Sequence, residues 1–115
     1  MPDAETVKMS VMKFCVEFIT VAIIIVIIFA TGDPIAIGVG FAALIFFAAN
    51  TSGGHLNPAV TVSMYAAGKV SLTQSAYYII AQLLGALTGY WFYKTFIQGT
   101  VAPMECILKL NKAVS

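Results

Sequence analysis

The chain alternates long apolar runs with short polar breaks. The first run, FCVEFITVAIIIVIIFATG at 14–32, would extend ~28 Å as a helix, close to the thickness of a bilayer's hydrocarbon core. Its β-branched residues favour a strand in water, but a lone strand in lipid leaves its backbone unpaired, so a helix is predicted. Gly32 then closes one helix and Pro34 opens the next. The second run, IAIGVGFAALIFFAAN at 35–50, is short; Gly38, Gly40, Ala42 and Ala43 allow backbones to approach closely. The third, QSAYYIIAQLLGALTGYWFYK at 74–94, has Tyr77 and Tyr78 at one end and Tyr90, Trp91 and Tyr93 at the other, the pattern of interfacial aromatic belts. Within it, Gly85 and Gly89 form a GxxxG close-packing pair.

Between the second and third runs lies TSGGHLNPAVTVSMYAAGK, residues 51–69. Asn57 is a favoured N-cap, Pro58 suits a first helical position, and Gly68 suits the position just past a helix end. The helix so delimited, 58–67, is ~15 Å long, half a bilayer. The extended piece 51–56 can enter from one surface and the helix can return to it, with the helix N-terminus near the midplane. Non-helical backbone at that depth is tolerated only when buried in protein or lining a watery cavity. The carbonyls of Gly53, Gly54, His55 and Leu56 would then be acceptors and the Asn57 amide a donor, beside about half a positive charge from the helix end. Such a site handles polar, uncharged solutes and disfavours cations. A surface loop followed by an interfacial helix fits the spacing too.

The predicted fold is therefore an all-α integral membrane protein of one domain, 1–115. It comprises three transmembrane helices, 12–32, 34–50 and 74–95, a re-entrant loop and half-helix, 51–68, and a tail, 96–115. The tail reads either as an interfacial helix from Pro103 or as a linker to a further span.

Composition agrees. Hydrophobic residues make up 60% and charged residues 10%, against about 45–50% and about 25% in soluble domains. A net charge of +1 points away from a nucleic-acid partner. Cys15 and Cys106 are too few for a disulfide framework. Lys8 and Lys13 ahead of an apolar run mimic a signal peptide, but Asp3, Glu5 and Glu17 argue against cleavage. One histidine and two distant cysteines make neither a metal site nor a nucleophilic triad, so no cofactor, metal or enzymatic activity is expected. His55 reads as a packed or carbonyl-bonded loop residue, and Gln82 as a bond to protein backbone. The sequon Asn50-Thr51-Ser52 is discounted because a re-entrant loop is inaccessible.

SGGHLNPAVT at 52–61 resembles the first Asn-Pro-Ala loop of the aquaporin, or major intrinsic protein, family. YIIAQLLGA at 78–86 resembles that family's third helix, and Glu17-Phe18 the start of its first; the likeness covers roughly 12–95. It implies a passive channel for water or small neutral solutes such as glycerol. Asn57, Pro58 and Ala59 match the motif whose amide donates to a passing water and breaks the chain of proton hops. Ile37 stands where the family places a filter residue, usually aromatic. Ile24 and Phe41 match apolar pore walls. Glu17 matches a buried carboxylate that braces the loop.

The chain departs from the family pattern in three ways. It carries one such repeat where the family has two in inverted orientation. Val60 follows the motif, where the family's filter arginine follows the second copy. Thr20 comes one position early in the first helix, with Val21 in its place. The expected partners are water or a small neutral solute, the lipid bilayer, and a second half: another copy of this chain or another aquaporin half. The threading above puts Lys8, Lys13 and Lys69 on one side and Lys94, Lys109 and Lys112 on the other, a balance that permits both orientations. The leading expectation is an antiparallel homodimer. Two alternatives stand beside it: an inactive fragment or partner subunit of a full-length aquaporin, and a small dual-topology, proton-coupled transporter using Glu17.

Overall fold

A computed structural model describes residues 4–99 and 111–112. Helix α1 runs Ala4–Thr31, α2 Pro34–Ala48, α3 Pro58–Ala66 and α4 Leu72–Phe92, and α4 continues into a π-helical turn, Tyr93–Ile97. The expectations for the tail beyond Gly99 and for Cys106 fall outside the described residues, Asn111 and Lys112 apart.

The helix boundaries follow local chemistry. α1 starts well before the apolar run because 4–13 is rich in good helix formers such as Ala4, Glu5, Lys8, Met9, Met12 and Lys13. The apolar run marks where lipid would begin, not where the helix does. Asp33 caps α2, its carboxylate accepting from Ala36 N at 2.9 Å. Ser71 caps α4 in the same way, accepting from Gln74 N at 3.1 Å. Among the described residues, α1 alone is both long and apolar enough to cross a membrane. α2 is apolar but only 15 residues, ~22 Å. α4 has 21 residues, ~31 Å, and carries Gln74, Ser75 and Gln82.

α1 packs most extensively on α4 and less so on α2, and α3 lies on α4. The close face of α4 is the glycine pair. A Cβ added at Gly85 would strike the carbonyl oxygen of Phe18, and one at Gly89 that of Ala22. The two helices therefore meet backbone to backbone, with the four-residue spacing of the glycines matched by that of the carbonyls. Backbone cannot yield as a flexible side chain would. Gly89→Leu is expected to force α1 and α4 apart and lower the detergent-solubilised chain's unfolding temperature, at a cost of about 1–3 kcal/mol or more. An unchanged melting curve would show that this face does not hold the pair.

Outward-facing positions are apolar on several sides. Phe46 is 86% exposed, and Val39, Leu87 and Trp91 are also open. The interior is small and unusually polar: Glu17, Thr20, Ser52, His55, Thr61, Ser75 and Gln82 are all buried.

Candidate functional site

The site is the segment between α2 and α3 and the side chains that grip it. At the end of α2 the carbonyl of Ala48 accepts from both Thr51 N (3.0 Å) and Ser52 N (2.9 Å), turning the chain sharply. Gly53 (φ +92°) and Gly54 (φ +68°) then adopt left-handed conformations. A Cβ on Gly54 would also come within 3.1 Å of the Ile45 carbonyl oxygen. Leu56 shares the left-handed region at φ +54° despite its side chain, at about 1–2 kcal/mol. Two contacts hold it there. Its N–H donates to Glu17 Oε1 at 2.9 Å, and its side chain is buried against Val21 and Ala48.

Glu17 is 0% exposed. Its carboxylate accepts three hydrogen bonds: Leu56 N and Gln82 Nε2 (2.8 Å) at Oε1, and Ser52 Oγ (2.6 Å) at Oε2. The other amide proton of Gln82 goes to Thr61 Oγ1 at 2.9 Å. Thr61 Oγ1 lies 2.9 Å from His55 Nδ1. Among the described residues Nδ1 is the acceptor within reach of the Thr61 hydroxyl, which places the His55 proton on Nε2. The His55 ring meets Tyr78 edge-on at 4.9 Å, and Tyr78 Oη donates to the Ser52 carbonyl at 2.6 Å. The contacts form a closed circuit, Glu17, Ser52, Tyr78, His55, Thr61, Gln82 and back to Glu17, tying α1, the loop, α3 and α4 together.

At the end of the loop, Asn57 Oδ1 accepts from Ala59 N at 2.9 Å and caps α3. This fixes the amide orientation and leaves Nδ2 available as a donor. Asn57, Ala59 and Gly53 are exposed and Pro58 is half-buried. Among the described residues, the carbonyls of Gly53, Gly54, His55 and Leu56 accept no hydrogen bond.

The remaining expected residues are scattered. Ile37 and Phe41 are half-buried on α2, with Phe41 against the Val21, Ala48 and Leu56 cluster. Ile24 is 2% exposed and packs where α2 approaches α1 at Gly40. Tyr78 and Tyr93 are buried within the protein, while Tyr90 and Trp91 are exposed. Gln82 bonds side chains, not backbone; His55 is packed, against Tyr78, and bonds the Thr61 hydroxyl rather than a carbonyl. The sequence reading missed Ser52, Thr61 and Tyr78 as parts of the site. A signal was available for Tyr78: with Gln82, Gly85 and Gly89 it forms a stripe along one face of α4.

The sequence model of the family described as "Major intrinsic protein" matches residues 33–115, most of the chain. The chain belongs to the major intrinsic protein family. Its membership makes it an integral, multi-pass membrane protein. Glu17 lies outside the matched stretch, yet it is the residue to which the loop is tied. Among family members, the "Probable aquaporin PIP2-4" of Arabidopsis thaliana is 53% identical over 53 residues, 46% of this chain and 18% of that protein. "Aquaporin PIP1-3/PIP1-4" of Zea mays is 51% identical over 57 residues, 50% of this chain and 20% of that protein. The matched stretch thus spans about a fifth of these relatives' length. No solved structure matches.

Proposed function

We propose that this chain is half of a passive membrane channel for water or small neutral solutes such as glycerol. In this reading α1, α2 and α4 are the three transmembrane helices, the loop and α3 re-enter the membrane, and two half-repeats, in an antiparallel homodimer, complete the pore. The observation that carries the reading is the end of the loop: an exposed Asn57 amide, oriented by its own cap, follows four carbonyls with no donor of their own. A row of acceptors ending in one donor at a helix N-terminus can hand a neutral solute along while opposing a cation. Aquaporin relatives at about half identity over the matched stretch support the solute class.

The second reading is an inactive fragment or partner subunit of a full-length aquaporin. The transporter alternative is disfavoured because the Glu17 carboxylate is fully buried and already accepts three hydrogen bonds.

Proteoliposomes containing only this chain are expected to shrink faster than empty ones in sucrose, and to re-swell in glycerol if glycerol passes. A Ser115→Cys reporter on a Cys15→Ser, Cys106→Ser background should react with an impermeant thiol reagent in about half the molecules. Flux equal to empty liposomes removes the homomeric channel in favour of the partner-subunit reading. Labelling of all molecules or of none, with flux intact, removes the antiparallel arrangement.

A further inference from the structure

Two adjoining cavities lie away from the loop, between the amino-terminal parts of α1 and α4. The first, about 400 Å³, has a mixed lining in which Met9 and Tyr77 stand beside Lys13, Ser10, Ser71 and Thr73. The second, about 210 Å³, is lined by Val11 and Phe14 and shares Ser10 and Tyr77 with the first. Lys13 immediately precedes the apolar run that begins at Phe14, and Leu72 starts α4. The cavity lined by Lys13 therefore sits at headgroup depth, and Phe14 in the neighbouring one begins the apolar run. No acidic side chain is among the described residues lining either cavity, so the Lys13 charge meets no carboxylate there. Lys69 adds positive charge at the same end of the molecule, where Lys8 and Glu5 offset each other.

We propose that this double cavity binds one anionic phospholipid. Its phosphate lies against the Lys13 ammonium and the hydroxyls of Ser71 and Thr73, and an acyl chain runs along Val11, Phe14 and the Tyr77 ring. The charge selects an anionic over a zwitterionic headgroup, and the apolar neighbour selects a lipid over a free anion. The inference rests on membrane residence alone, so it stands or falls separately from the channel reading.

The test is native mass spectrometry of the full chain in detergent, titrated with phosphatidylglycerol, phosphatidylcholine or inorganic phosphate. One phosphatidylglycerol should be retained per chain in preference to phosphatidylcholine. Lys13→Gln should lower that retention about five-fold, the effect of one lysine at an anionic headgroup. Lys13→Arg should keep it, and Lys94→Gln, at the far end of α4, should leave it unchanged. Equal retention of the two lipids overturns the site, as does an equal loss in Lys94→Gln. Displacement of phosphatidylglycerol by inorganic phosphate would make it a free-anion site instead. Should Lys13→Gln not fold, the lipid preference of the parent and of Lys13→Arg decides.

Discussion

Glu17→Ala is expected to release the loop and unfold the chain at markedly lower temperature, while Glu17→Gln stays close to the parent. Alanine leaves the Leu56 N–H with no acceptor and removes one partner each from Gln82 and Ser52. With the cavity it opens, the loss is about 3–5 kcal/mol. Leu56 would then keep its left-handed backbone without the bond that holds it. Glutamine can keep an oxygen facing Leu56 and Gln82. Its new amide faces Ser52 Oγ, which can accept from it by turning its own proton toward the Ala48 carbonyl, 3.5 Å away. The expected cost is about 1 kcal/mol. Thermal unfolding in detergent, with limited proteolysis between α2 and α3, measures both. Equal damage from Gln and Ala, together with uptake that follows a proton gradient in the parent, would return Glu17 to a transport role.

Asn57→Asp separates the proposed channel from the fold. The aspartate still presents an oxygen to Ala59 N, and a carboxylate suits a helix N-terminus at least as well as an amide. Stability should therefore hold or rise slightly. The donor, however, becomes an acceptor, and the positive end of α3 is cancelled. Water or glycerol flux is expected to fall on the order of ten-fold, or a cation leak to appear, as one oriented donor and its field are lost. Stopped-flow light scattering and a sodium-leak assay on the same vesicles read the two outcomes. Unchanged permeability with unchanged ion exclusion would take Asn57 out of the pore.

The short helix α3 was legible because its ends are written locally. Asn57, Pro58 and Gly68 each act within a turn of where they stand. The structure starts α3 at Pro58, caps it with Asn57, ends it at Ala66 and gives Gly68 a φ of +77°. The GxxxG pair was legible as a contact, though not that the contact would be with the carbonyls of α1. What sequence concealed was long-range. Glu17 meets Ser52, Leu56 and Gln82 across separations of 35, 39 and 65 residues, and no local pattern encodes those pairings. Leu56 was hidden for another reason: leucine is a poor choice for a left-handed backbone, and only the bond from its N–H to Glu17 explains it. Tyr78 misled because an aromatic near a helix end is usually interfacial, and here its hydroxyl is consumed by the loop.

The circuit around Glu17 also sets an order of events at the ribosome. Gln82 is made 65 residues after Glu17, a delay of roughly 3–13 s at ordinary rates of synthesis. Until Ser52, Leu56 and then Gln82 arrive, the first helix must enter the bilayer with its acidic side chain short of partners, a penalty of at most about 2.5–3.5 kcal/mol on insertion scales. The run from Ile23 to Phe29 returns about 0.3–0.6 kcal/mol per residue on the same scales, or ~2–4 kcal/mol together. Those isoleucines thus offset the glutamate while it waits for its partners. Shortening the run should strand nascent chains at the translocon even where the finished fold would tolerate the change.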